Sequence, residues 1–117
     1  MAVSIVTGAA SGIGAATAGA LAGRGDHVVC VDLDEAGAVR TADQLDGAIG
    51  IGADVTVADD CEQMVAAALD HWGDIDAAVA CAGIEIGGSA LDIDPATFRR
   101  VVDVNLTGSF LTAQAAA

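Results

Sequence analysis

The chain has 117 residues, of which 54% are hydrophobic and only 3% aromatic, and 15 of them are glycine. This length and composition predict a single domain over residues 1–117 with an aliphatic core, and they exclude an intrinsically disordered chain. Seventeen acidic residues against four arginines and no lysine give a formal charge of −13, which excludes nucleic acid and anionic membranes as partners.

The chain opens with a predicted strand and a predicted helix that a glycine-rich segment connects. Apolar β-branched residues predict the strand over Val3–Thr7, and small residues predict the helix over Gly12–Arg24. Residues 7–14, where the two meet, are Thr-Gly-Ala-Ala-Ser-Gly-Ile-Gly. The glycines allow a tight turn and the close approach of a ligand, and unpaired N–H groups at the start of the helix favour an anion. This pattern predicts a binding loop for the pyrophosphate of a dinucleotide.

A carboxylate ends the second predicted strand, about 20 residues beyond the glycine motif. The strand covers Val28–Val31 and ends at Asp32, which precedes Leu33, Asp34 and Glu35. A carboxylate at this place can accept hydrogen bonds from both hydroxyls of an adenosine ribose and would repel a 2′-phosphate. Because no basic residue stands beside it, the sequence favours NAD over NADP. The alternative interpretation of Asp32 is a polar residue that only caps the strand end.

Strands and helices continue to alternate along the rest of the chain. The predicted elements are a helix over Glu35–Leu45, a strand over Ile49–Ala53, a helix over Val57–Trp72 and a strand over Ile75–Cys81. A last helix begins at Asp94 or Pro95 and restarts near Asn105. Such alternation predicts an α/β fold, a three-layer doubly wound parallel sheet of the Rossmann type that stops after about four strands. The order 3-2-1-4 leaves strand four as an exposed apolar edge.

Three cysteines, Cys30, Cys61 and Cys81, are widely spaced and form no pair or histidine cluster at metal-ligand spacing. We therefore expect free thiols in a reducing cytoplasm and no metal site. The N-terminus has no basic region typical of a signal peptide, and no apolar run approaches the ~20 residues that span a bilayer. These features predict a soluble cytoplasmic protein.

Five segments in order resemble motifs of the short-chain dehydrogenase/reductase family, and together they cover nearly the whole chain. Residues 7–14 resemble the TGxxxGIG cofactor motif of that family, and Asp32 stands at its cofactor-selecting position. The other matches are Asp54-Val55, the run of residues 71–76 that leads into Val79-Ala80-Cys81-Ala82-Gly83, and Val104-Asn105-Leu106-Thr107-Gly108.

The resemblance implies roles for individual residues. Asp54 would meet the adenine amino group, Ala82 and Gly83 would bring backbone close to the cofactor, and Asn105 would be the asparagine of the catalytic tetrad. The full set of expected cofactor-binding residues is Thr7, Gly8, Ser11, Gly12, Ile13, Gly14, Asp32, Leu33, Asp54, Val55, Ala82 and Gly83.

The chain departs from the family pattern in two ways. Ala80 and Cys81 stand where the family often has two asparagines, so we expect a looser connection between strand four and its neighbours. The family's serine and YxxxK pair lie downstream of the asparagine, and this chain contains no tyrosine and no lysine. The two histidines, His27 and His71, lie at ends remote from the glycine loop, where surface roles are expected.

Two hypotheses of function follow. The first is the NAD(H)-binding half of a short-chain oxidoreductase that transfers hydride between nicotinamide and a small alcohol or ketone, inactive until C-terminal residues complete it. The second is a stand-alone, non-catalytic NAD-binding or interaction module. In both, the exposed strand edge predicts either self-association or pairing with the missing half.

Overall fold

The computed structural model describes residues 1–117 as a parallel four-stranded sheet with helices on both faces. The strands are β1 (Val3–Thr7), β2 (His27–Asp32), β3 (Ala48–Gly52) and β4 (Ala77–Ala80). Their order is β3-β2-β1-β4 and every neighbouring pair is parallel. The predicted doubly wound fold and its strand order are therefore confirmed.

Five α-helices connect and cover the strands. They are α1 (Gly12–Gly23), α2 (Glu35–Asp43), α3 (Ala58–Trp72), α4 (Pro95–Val102) and α5 (Gly108–Ala116). A five-residue π-helix, Asp103–Thr107, joins α4 to α5 without a break in the helical path. The predicted restart near Asn105 is this π-helical segment. None of these helices has the length and apolar character that crossing a membrane requires.

The core lies on both faces of the two central strands, because successive side chains of a strand point to opposite sides. On one face Ile5 and Val29 pack with Met64 of α3 in the first buried cluster. On the other face Val6 and Val28 join the small residues of α1 and α2 in the second buried cluster. Full burial of each large aliphatic side chain stabilises the fold by roughly 1.5–3 kcal/mol.

Strand β3 contains two glycines, and one of them is required by the packing of α2. A Cβ on Gly50 would lie 2.5 Å from the Cα of Val39, which is backbone and cannot move aside cheaply. The glycine therefore allows helix and strand to approach closely, at some cost in intrinsic strand preference. The observed strand begins one residue before the predicted Ile49 and ends at Gly52.

Strand β4 is shorter than predicted and forms the edge of the sheet. It pairs with β1 on one side only, and its burial pattern is exposed apart from the half-buried Val79. Before the strand, the Asp76 carboxylate accepts a hydrogen bond from Val3 N at 2.8 Å, and Asp76 N donates to Val3 O at 2.8 Å. The expectation of an exposed apolar edge is confirmed.

All three cysteines are free, as predicted. Burial raises the pKa of the Cys30 thiol to about 11, so this thiol stays protonated and is a poor nucleophile near neutral pH. The histidines differ from each other. His71 is exposed, whereas His27 is half-buried and stacks on Trp72 with ring centroids 4.8 Å apart. His27 therefore keeps a partly exposed position, and Trp72 covers one face of its ring.

Candidate functional site

The carboxyl ends of the strands meet at a cleft of about 520 Å³. Ligands of open α/β sheets bind at this edge, where the connections on either side of the first strand diverge. Eleven of the twelve residues expected to bind the cofactor line the cleft: Gly8, Ser11, Gly12, Ile13, Gly14, Asp32, Leu33, Asp54, Val55, Ala82 and Gly83. The twelfth, Thr7, is buried at the end of β1 and is not part of the lining.

The glycine loop is folded so tightly that two of its glycines have no room for a side chain. A Cβ on Gly14 would overlap the carbonyl oxygen of Gly8. A Cβ on Gly8, whose φ is +68°, would lie 2.8 Å from the backbone nitrogen of Ala82. The loop thus holds the start of α1 against β1 and against the segment after β4. Gly12 has a φ of +56° and open space beside it.

The first turn of α1 presents backbone N–H groups without an acidic partner. Ser11 is the N-cap residue, its side chain makes no capping hydrogen bond, and the first turn contains no acidic residue. The positive end of the helix dipole and its free N–H groups therefore favour an anion at this end of the cleft. Ile13, which is 79% exposed, offers an apolar surface beside them.

Asp32 is held rigidly at the end of β2. One carboxylate oxygen accepts a hydrogen bond from Ala10 N at 3.0 Å, and the other accepts from Asp34 N at 3.0 Å. Each oxygen keeps a further lone pair that a ligand hydroxyl can use. Arg24 and Arg40 are equally near to Asp32 along the chain. Arg24 pairs with Asp26, Arg40 lies 3.8 Å from Asp34, and neither lines the cleft.

Asp54 follows β3, which lies on the side of β2 away from β1 and the glycine loop, and it lines the same cleft. Its carboxylate accepts hydrogen bonds from the Thr56 hydroxyl at 2.7 Å and from Thr56 N at 2.9 Å. These two bonds hold the pKa of the Asp54 carboxyl below its ordinary value, and the charge of Arg100 adds to the effect. Asp54 N in turn donates to the Asp60 carboxylate at 2.8 Å. The group is therefore a fixed, ionised acceptor near neutral pH.

Two side chains fasten the segment after β4. The hydroxyl of Thr7 accepts a hydrogen bond from Ala82 N at 3.1 Å, so β1 is connected to this segment without a side-chain bond from Ala80 or Cys81. Asn105 binds both backbone groups of Ile84: its oxygen accepts from Ile84 N at 2.8 Å, and its amide nitrogen donates to Ile84 O at 2.9 Å. Asn105 itself is not part of the cleft lining.

The structure adds lining residues that the sequence analysis did not select. They are Val31, Ala53, Thr56, Cys81, Ile84, Arg100 and Val104. Most of these residues are adjacent in sequence to a residue that was expected to bind the cofactor. Their position at or just after the end of a predicted strand is the sequence pattern that could have identified them. No sequence pattern of this kind marks Arg100, because it belongs to α4 and is not close in sequence to any strand end.

The family model described as short chain dehydrogenase matches residues 2–117. Among solved structures, the chain is similar to a 3-ketoacyl-(acyl-carrier-protein) reductase from Brucella melitensis in complex with NADH. The TM-score is 0.91 and the identity 36%, over 97% of this chain and 47% of that one.

The chain is also similar to parts of longer curated dehydrogenases, of which it covers less than half. The chain is 37% identical to the human 3-hydroxyacyl-CoA dehydrogenase type-2, over 92% of this chain and 44% of the relative. It is 41% identical to 2-(S)-hydroxypropyl-CoM dehydrogenase 3 of Xanthobacter autotrophicus, over 95% of this chain and 45% of the relative. The chain therefore spans somewhat under half the length of these relatives.

Proposed function

This chain belongs to the short-chain dehydrogenase family, and from that premise we propose that it is the NAD(H)-binding part of an oxidoreductase that acts on an alcohol or a ketone. The observation that carries the proposal is the meeting of the glycine loop, Asp32 and Asp54 in one cleft. We further propose that residues 1–117 form one cofactor-binding domain.

The residues of the cleft fit a dinucleotide from end to end. The start of α1 offers free N–H groups for the pyrophosphate, and the absence of a Cβ at Gly12 leaves the backbone open to close approach. Asp32 offers acceptors for the hydroxyls of a ribose. Beyond it, Asp54 offers an acceptor for an amino group such as that of adenine, with the buried Val55 beside it as an apolar contact.

Rigidity and charge at Asp32 favour NAD over NADP. Because two backbone N–H groups hold its carboxylate, the side chain cannot swing away from a 2′-phosphate without losing both bonds. The single arginine among the cleft residues, Arg100, belongs to α4 and lies with Asp54 and Thr56. A phosphate on the 2′-oxygen would therefore meet the negative charge of Asp32, which has no arginine or lysine beside it in the sequence.

When bound, the nicotinamide gives or takes a hydride, and the substrate oxygen must exchange a proton in the same reaction. The chain contains no tyrosine and no lysine to carry that proton in the manner of the family. We therefore propose that this chain binds and orients the cofactor, and that the proton carrier comes from residues outside it. The pair formed by Asn105 and Ile84 holds the segment that ends the cleft on the β4 side.

A titration of the purified chain with NADH and with NADPH tests this proposal. Asp32→Ala should weaken NADH binding about tenfold, because it removes an ionised acceptor of two ligand hydroxyls, and should leave NADPH binding unchanged or stronger. Asp43→Ala is the matched control, since Asp43 is an exposed acidic residue at the end of α2 that lies outside the cleft. Wild-type preference for NADH in the Asp32 variant would contradict the assignment.

A further inference from the structure

The four arginines of this acidic chain fall into two groups. Arg24 pairs with Asp26, and Arg40 lies 3.8 Å from Asp34. The other two, Arg99 and Arg100, form no salt bridge. In a chain of charge −13, two adjacent cations without a partner are the chief positive feature of the surface.

Only one of these two arginines reaches the cofactor cleft. Arg100 and Val104 are one helical turn apart and both line the cleft, whereas Arg99 lies about 100° around the helix axis. Arg99 lines an adjoining groove of about 330 Å³, which shares Thr56, Arg100 and Val104 with the cleft. Arg99 and Arg100 thus have the same charge and almost the same position in the chain, but only Arg100 shares the cleft with Asp54.

The end of the cleft that holds Asp54 carries a negative charge that a cation can offset. A dinucleotide is an anion, and this cleft already contains the carboxylates of Asp32 and Asp54. Covering Asp54 with a ligand removes water from a charged group, and that cost falls when an opposite charge stays nearby. The charge of Arg100 is close enough to Asp54 to lower the pKa of its carboxyl, although the Thr56 hydrogen bonds are the larger cause.

We propose that Arg100 is a positioning residue for the cofactor, which acts by offsetting the charge of Asp54 at the adenine end of the cleft. The inference rests on the proposed function, because the ligand that covers Asp54 is the proposed dinucleotide. It adds a residue from α4 to a site that otherwise consists of strand ends and the glycine loop. It also assigns a function to one of the two unpaired cations.

The first test compares two substitutions that change the net charge equally. Arg100→Gln should weaken NADH binding about threefold, as expected for a partly exposed charge pair, whereas Arg99→Gln should change it less than about 1.5-fold. Arg100→Lys should restore most of the affinity, because charge rather than the guanidinium shape is required. Equal losses in the two glutamine variants would overturn the inference.

The second test asks whether Arg100 acts through Asp54. In an Asp54→Asn background, Arg100→Gln should cost less than about 1.5-fold in NADH affinity, because the charge to be offset is gone. A full threefold loss in that background would show that Arg100 acts elsewhere and would overturn the inference.

A titration without cofactor separates this inference from the proposed function. The carboxyl carbon of Asp54, followed by NMR, should titrate at higher pH in Arg100→Gln than in the wild type, and Arg99→Gln should leave it in place. If the Asp54 carboxyl titrates at the same pH in Arg100→Gln as in the wild type, the inference is overturned even if NADH binds. Conversely, if the Asp54 titration moves in Arg100→Gln as expected while the wild-type chain binds no NADH, that result contradicts the proposed function and leaves the influence of Arg100 on Asp54 intact.

Discussion

At the residue scale, the glycine loop leaves room for only a hydrogen atom on the Cα of Gly14. Gly14→Ala puts a methyl group where the Gly8 carbonyl oxygen lies, so the loop must open by moving backbone. We expect this variant to lose about 1–3 kcal/mol of unfolding free energy and to lose NADH binding. Gly19→Ala is the matched control in the same helix, because nothing lies within 4 Å of its added Cβ.

The control should move stability in the opposite direction. Replacing a glycine inside a helix by alanine stabilises by roughly 0.5–1 kcal/mol, so Gly19→Ala should unfold at a higher temperature than the wild type. Thermal unfolding followed by circular dichroism measures both variants. Equal melting temperatures for the two would show that the loop is not as tight as the structure describes.

The residues of the cleft differ in how far the sequence alone could identify them. The glycine loop and Asp32 were selected because their signal is local: a motif between strand and helix, and an acid at the next strand end. Arg100 could not be found this way. It reaches the cleft because α4 lies beside Thr56 after β3, and the sequence around Arg100 does not indicate that proximity.

At the scale of elements, one side chain of the π-helix binds the segment after β4. The amide of Asn105 accepts from Ile84 N and donates to Ile84 O. Asn105→Asp keeps the acceptor but replaces the donor with a second negative oxygen, which the carbonyl of Ile84 repels. We expect faster hydrogen exchange at the Ile84 amide and a loss of about 1 kcal/mol of unfolding free energy at neutral pH.

Protonation distinguishes this cause from a general loosening. Below about pH 4 the introduced carboxyl gains a proton and can donate again, so Asn105→Asp should recover stability relative to Asn105→Ala, which has neither group. A pH series of thermal melts on both variants checks this. A constant difference between them from pH 7 to about pH 3 would contradict the pairing with Ile84.

The elements also show where sequence patterns lose information. The sequence predicts helix α3 to within one residue, because Met64, Val65, Ala68 and Leu69 recur at helical spacing and Gly73 follows. In the structure Gly73 has a φ of +76° and ends the helix. Strand β3 was harder because Gly50 is selected for its contact with α2, which weakens the strand signal. The sequence predicts the π-helix only as an interruption near Asn105, because residue spacing does not distinguish a π-helical turn from a break between two α-helices.

At the scale of the whole molecule, the formal charge of −13 controls how stability responds to salt. Like charges repel one another in the compact state, and the screening length falls from about 10 Å at 0.1 M to about 3 Å at 1 M salt. We therefore expect the melting temperature to rise with sodium chloride over this range. A melting temperature that falls with salt would mean that local ion pairs, not general repulsion, dominate.

Acid should act in the opposite direction to salt. Hydrogen bonds lower the pKa of three carboxyl groups: Asp26 through the Arg24 side chain, Asp54 through Thr56 and Asp94 through Thr97. A carboxyl group whose pKa is lowered in the folded state stabilises the fold above its unfolded pKa, and this contribution is lost as pH falls through the folded pKa. Melts in high salt should therefore show stability falling below about pH 4. A flat profile there would contradict these assignments.

The free edge of β4 limits how anything can be added to the sheet. A twofold axis that joined two copies at this edge would pair β4 with its own image antiparallel, and the two clefts would then open on opposite sides of the joined sheet. A strand that arrives after a right-handed helical crossover instead runs parallel to β4. Its carboxyl end falls at the same rim as the glycine loop. That second geometry brings the carboxyl end of the added strand to the rim where we propose that the cofactor binds, whereas the twofold arrangement does not.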